Sequence, residues 1–78
     1  MTPKIIHVEW VDAVTSLGWE PVSEPLTPRS CLTVGFLIHE TDKFIVIAGT
    51  WGLEGDHEES NNRTAIPKGW IVAQREIR

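Results

Sequence analysis

The sequence predicts an all-β domain built of five short antiparallel strands, and three observations carry that prediction. Two runs rich in β-branched and aromatic residues, CLTVGFLIHE (31–40) and KFIVIAGT (43–50), are separated only by Thr41 and Asp42. Apolar runs of this length with so short a link form a tight hairpin. A third run, KIIHVEWV (4–11), alternates with period two, setting Ile6, Val8 and Trp10 on one face and His7 and Glu9 on the other. Near the end, RTAI (63–66) and IVAQREI (71–77) flank Pro67-Lys68-Gly69-Trp70. That tetrapeptide is too short for an α-helix and suits a single 3-10 turn between two strands.

Residues 12–30, DAVTSLGWEPVSEPLTPRS, interrupt this order. Asp12 is a capping residue type, but Val14, Thr15 and Gly18 are poor helix formers. Pro21, Pro25 and Pro28 forbid a regular helix and central strand pairing alike. The stretch reads as an irregular, partly extended loop. In the central hairpin, Leu32, Val34, Phe36 and Ile38 share one face and Leu37 lies opposite. Phe44, Val46 and Ala48 share a face, with Ile45 and Ile47 on the other. Both faces are apolar, so something covers the second one: the 12–30 loop, the curl of a barrel, or another subunit. Gly35 and Gly49, inside the runs, mark bends or close backbone approaches. Residues 51–62 read as a polar hairpin tip, and the last strand carries Ile71, Ala73 and Ile77 on one face, interrupted by Arg75.

With 78 residues the chain is expected to form one small domain, 1–78. Domains of this size bury only ~60% of the surface their unfolded chain exposes. Cys31 is the only cysteine, so no internal disulfide forms, and no zinc pattern is present. Self-association is the expected source of extra stability. The opening MTPKIIHVEW lacks the pattern of a signal peptide, and no apolar run reaches the ~20 residues a membrane span needs. A cytoplasmic location is expected, with no membrane partner. A net charge of −4 argues against non-specific binding of nucleic acid, which relies on clustered Lys and Arg.

Candidate sites are few. The run Asp56-His57-Glu58-Glu59 holds metal-ligand types, but consecutive residues cannot all face one ion, and the alternating ligands of a calcium loop are missing. It reads as a solvated tip, so no metal site is assigned. His39 with Glu40, or His7 with Glu9, are titratable pairs without a nucleophile motif, and Cys31 opens an apolar strand. Gly49, Gly52 and Gly55 lack the Lys-Ser/Thr pair of a phosphate loop. No enzyme activity and no cofactor are expected. The best candidates are aromatic and basic: Trp51 and Arg63 at the two bases of the tip, with Trp19 and Arg29 in the irregular loop. Trp stacks on planar bases and Arg grips phosphate in a bidentate fork. The competing reading has Trp10 and Trp70 plugging the barrel while Trp19 and Trp51 cover its ends. For Trp19 and Trp51 both readings stay open.

The element order, carried by RTAIPKGWIVAQREI (63–77) and the hairpin bent at Gly35 and Gly49, resembles that of small SH3-like and Sm-like barrels. The resemblance implies a five-stranded, partly open antiparallel barrel with a 3-10 turn before the last strand. The segments VEWVDA (8–13), GW (18–19), TVGFLIHETD (33–42) and IPKGWI (66–71) are similar to those of small uncharacterised bacteriophage and prophage proteins. The Pro-containing stretch 21–28 departs from that group, which is more helical there. This second resemblance implies a phage-type accessory protein in the host cytoplasm. The expected function is non-catalytic binding, with sequestration of a nucleotide-derived immune signal as one form. The alternative is a protein-interaction or assembly adaptor with no small ligand. Expected partners are further copies of the chain, and a small nucleotide or a host protein.

Overall fold

The computed structural model describes residues 3–54 and 57–78. Five strands, β1 (Ile5–Asp12), β2 (Arg29–Glu40), β3 (Phe44–Glu54), β4 (His57–Pro67) and β5 (Ile71–Glu76), form one antiparallel sheet in the order β4-β3-β2-β1-β5. A single 3-10 turn, Lys68–Trp70, joins β4 to β5. The all-β class, the five strands and the turn before the last strand are as the sequence predicts.

The sheet is not closed into a barrel, which corrects the expected architecture. β4 and β5 lie at opposite ends of the strand order and do not pair. The β3–β4 ladder runs one pair past Phe44 opposite Pro67, since the Lys68 N–H donates to the Lys43 carbonyl (2.8 Å), and the chain leaves it only with the 3-10 turn. The 3-10 turn then crosses the open mouth, and β5 pairs with β1 alone. The Lys68 ammonium also reaches the Glu40 carboxylate at 3.1 Å.

Residues paired across strands share a face of a sheet. The register therefore sorts the side chains: Ile6 opposite Gly35, Val8 opposite Thr33, Leu37 opposite Ile47 and Ile45 opposite Ile66 all lie on the inner, concave face. There Ile6, Val8, Ile45, Ile47 and Ile66 form the buried core, with Trp10, Leu37 and Ile71 packed at its margin. The Trp10 indole N–H donates to Thr33 Oγ1 at 2.9 Å, so the one polar atom that Trp10 carries inward is satisfied. Trp70 corrects the sequence reading. It is 41% exposed on the 3-10 turn, and Ile71, the next residue, occupies the inner position instead.

Close approach at Gly35 sets the curl. A Cβ there would collide with Ile47 Cγ2 and would lie 2.6 Å from the Ala48 carbonyl oxygen. A side chain at position 35 would therefore push β3 off β2. The β2–β3 ladder also shifts register between Leu37 and His39, an irregularity that bends the strand. At the turn, Thr41 Oγ1 accepts from the Lys43 and Phe44 N–H groups, both at 3.1 Å, and holds the short connection.

Three element boundaries differ from the sequence reading. β4 runs from His57, not from Arg63, and the ladder of the second hairpin continues through Thr50 opposite Asn61 to Glu54 opposite His57. Residues 51–54 and 57–62 thus belong to two paired strands, because a backbone ladder does not require apolar side chains. Asn62 has φ 55°, the left-handed region that Asn tolerates, and sits where Gly49 would pair. It divides the hairpin into a root and an outer half. Strand pairing also begins at Asp12 opposite Arg29, which trims the irregular loop to 13–28.

Gly35→Ala is expected to destabilise the domain by about 1–3 kcal/mol, the usual cost of overpacking. Gly69→Ala, with nothing within 4 Å of the added methyl, is the control and should change stability by no more than ~0.5 kcal/mol. Urea unfolding of the two variants checks this. Ile66→Ala, at 0% exposure, should cost roughly 2–5 kcal/mol, enough to leave a substantial unfolded fraction without denaturant.

Candidate binding surface

The outer face of the sheet carries apolar side chains that the fold leaves uncovered. Pairing lines up Ile5, Phe36, Ala48 and Arg63 in one row across β1, β2, β3 and β4. A second row runs Arg75, His7, Val34, and a third Ala73, Glu9, Leu32. The centre of this face, on β2, is Leu32, Val34 and Phe36, with Leu32 63% and Val34 54% exposed. Arg63 and Arg75 stand at the two edge strands and are both exposed.

Trp51 is half-buried and meets Phe36 edge-on, with ring centroids 6.1 Å apart and an interplanar angle of 60°. This is the geometry that aromatic pairs prefer. The indole also lines a cavity of about 350 Å³ with Pro3, Leu37, Ile38 and Ser60, and Glu58 and Glu59 lie on its wall. The two carboxylates make this cavity unfavourable for an anionic group. Arg63 stands opposite Ala48, whereas Trp51 stands opposite Ser60, so three positions, or ~10 Å of strand, separate them on the ladder. Phe36 and the buried Ala48 lie in the row of Arg63.

Trp19 and Arg29 lie elsewhere. Arg29 begins β2 opposite Asp12, seven residues and roughly 23 Å along the strand from Phe36. Trp19 belongs to the connection between β1 and β2, every residue of which from Ala13 to Pro28 is exposed. It lines a cleft of about 460 Å³ made only by that connection, between Ser16, Gly18, Glu20, Glu24, Pro25 and Leu26. One protomer therefore roots Trp51 and Arg63 in the same hairpin, three ladder positions apart, and leaves Trp19 and Arg29 apart from them and from each other.

Of the acidic run, Asp56 lies outside the described residues, while His57, Glu58 and Glu59 belong to β4. Among the described residues no group of His, Cys, Asp or Glu has the arrangement to hold a metal ion. No helix among them is long and apolar enough to cross a membrane. Cys31 is half-buried, with its thiol 3.6 Å from the Arg29 carbonyl.

Two features escaped the sequence reading. Phe36 is the residue that joins Trp51 to the row ending at Arg63; its place on the face of Leu32 and Val34 was the available signal. The second is the exposure of Leu17, Val22 and Leu26. Their signal was apolar residues set among prolines in a segment that can form neither helix nor strand.

No protein-family model, curated protein or solved structure matches this chain.

Trp51→Ala is expected to lower stability by ~0.5–1.5 kcal/mol through loss of the aromatic pair. Arg63→Ala, exposed and outside that pair, should be near neutral. The double variant should be additive within about 0.5 kcal/mol. A larger coupling in urea unfolding would show that the arginine packs on the indole.

Proposed function

We propose that this chain is a non-catalytic protein-interaction module that binds through the outer face of its sheet and the 13–28 connection. The observation that carries the reading is the exposure of that connection: Leu17 is 94%, Trp19 103% and Val22 105% exposed. Side chains this exposed touch nothing in their own protomer. Connections longer than ~12–15 residues without secondary structure are uncommon in compact domains and are usually either functional or linker segments. Trp is enriched at interface hot spots. No polar or charged side chain among the described residues is buried, so the shielded titratable group that an enzyme site usually holds has no counterpart in the core. The strand order and the 3-10 turn support assignment of the open sheet to the SH3-like or Sm-like kind. An assembly adaptor of phage type, acting in the host cytoplasm, fits these features.

One observation favours a second reading, capture of a nucleotide-derived signal. Phe36 meets Trp51 edge-on, and Arg63 lies two strands away in the row of Phe36 and Ala48. Neighbouring strands are ~4.8 Å apart, so this spacing suits a base on the aromatic pair and a phosphate at the arginine.

Replacing Trp19 by the photoreactive residue p-benzoylphenylalanine in the producing cell tests the first reading. A discrete protein adduct at this position, absent when the same residue replaces exposed Thr64 on β4, is the expected result. No adduct at position 19, together with a thermal shift by cyclic di- or trinucleotides that Arg63→Ala abolishes, would establish the second reading in its place.

A further inference from the structure

We propose that the 13–28 connection is an exchanged arm, and that its receptor is the outer face of β2 in a second copy of this chain. The inference rests on the interaction-module reading and adds the partner and both surfaces.

The arm is built to lie on something. It links β1 to β2, whose paired ends, Asp12 and Arg29, fix its two roots. Between them, the one backbone hydrogen bond within the arm is the Glu24 N–H to the Pro21 carbonyl at 2.9 Å, a single turn. Pro21, Pro25 and Pro28 restrict the backbone and remove donors. An arm of this composition cannot extend a sheet by edge pairing. It can present side chains to a face, and its stiffness lowers the entropy lost on docking. The side chains it presents are Leu17, Trp19, Val22 and Leu26, all exposed.

The receptor face matches in polarity and in charge. Leu32, Val34 and Phe36 make an apolar strip that the arm of the same protomer leaves open. Arg63 and Arg75 flank it on the edge strands, about 19 Å apart across four strand spacings. Residues 13–28 contain two charged groups, Glu20 and Glu24, and no Lys or Arg. The acidic arm is complementary to the arginines at the two edges of the strip, whose rows carry one acid, Glu9 opposite Leu32.

The exposed area is also that of an incomplete assembly. A folded monomer of this size exposes about 4,800 Å², whereas this chain exposes 6347 Å². Covering the surplus in two copies removes roughly 3,000 Å² of surface, inside the ~2,000–5,000 Å² range of obligate homodimers. The shape agrees: the radius of gyration is 16.0 Å, against about 11–12 Å for a compact domain of this length. Reciprocal exchange about a two-fold axis satisfies both arms and closes the assembly.

Sedimentation velocity of the purified protein at micromolar concentration tests the proposal, with circular dichroism to confirm the fold of each variant. The wild type should sediment as a dimer. Trp19→Ser with Val22→Ser, which touches nothing in the protomer, should weaken self-association by at least ~30-fold, the loss expected for a hot spot. Val34→Lys on the receptor strip should do the same. Glu20→Arg with Glu24→Arg should weaken it about tenfold, as misplaced charges at an interface do, and adding Arg63→Glu and Arg75→Glu to that chain should restore it. A wild-type monomer overturns the proposal, as does a dimer indifferent to the arm variants. Failure of the charge exchange to restore association overturns the receptor assignment. A monomer in isolation that still gives an adduct with a different protein at position 19 in cells would sink the exchange alone and leave the interaction-module reading standing.

Discussion

The contact of Ile47 with the backbone of Gly35 is the constraint on which the rest of the structure depends. Because position 35 carries no side chain, β3 lies close over β2 and Ile47 occupies the space a Cβ would take. Tight pairing there curls the sheet, and the curl lets residues from four strands, Ile6 and Val8 of β1, Ile45 and Ile47 of β3, Ile66 of β4 and Leu37 of β2, meet on one concave side. A flat sheet of the same sequence would leave these side chains in a row facing water. The core that results is small, and that smallness governs what the outer surfaces must do. Burial of five aliphatic side chains gives a domain little reserve against the entropy of ordering its chain.

The consequence is a molecule whose apolar residues are only partly used. Leu32, Val34 and Phe36 alternate with inward-facing neighbours on β2, so geometry sends them outward whatever their polarity. The arm adds Leu17, Trp19, Val22 and Leu26, held off the sheet by a backbone that prolines keep out of regular structure. Scattered exposed apolar side chains need no explanation, but a contiguous set on one strand together with a projecting arm is the feature on which the proposed interaction rests. Trp51 behaves differently from Trp19 because it has a neighbour, Phe36, within its own protomer. The four tryptophans thus divide by environment. Trp10 closes the core with its N–H on Thr33, Trp51 packs on Phe36, Trp70 stands on the 3-10 turn and Trp19 is free of the fold.

Much of this was legible in the chain. The hairpin of β2 and β3, the alternation of β1 and the one-turn connector follow from periodicity and from the few residues available for each link. Gly35 as a point of close approach was also readable. Barrel closure was not, since whether β4 meets β5 depends on how the whole sheet is assembled: β5 pairs with β1, and β4 stays at the other end of the strand order. The length of the second hairpin was hidden for another reason. A run of acids and asparagines looks like a loop by composition, yet a left-handed Asn62 opposite Gly49 lets the ladder resume beyond it. Among the site residues, the place of Trp51 and Arg63 on the two arms of one hairpin was visible, and their three-position offset on its ladder was not.

Period-two alternation and short links are local properties, so the sequence alone settles the number of strands, their antiparallel sense and the identity of the 3-10 connector, but not the extent of the second hairpin. It also settles that the 13–28 segment cannot join the sheet, because three prolines withhold donors. Which apolar face turns inward is a property of the assembled sheet. Residues such as Leu32 and Leu37 have the same chemistry, and only the curl at Gly35 makes one surface concave. The tertiary structure alone decided that the arm turns away from its own sheet, and therefore that Leu17, Trp19, Val22 and Leu26 are left exposed together with Leu32 and Val34.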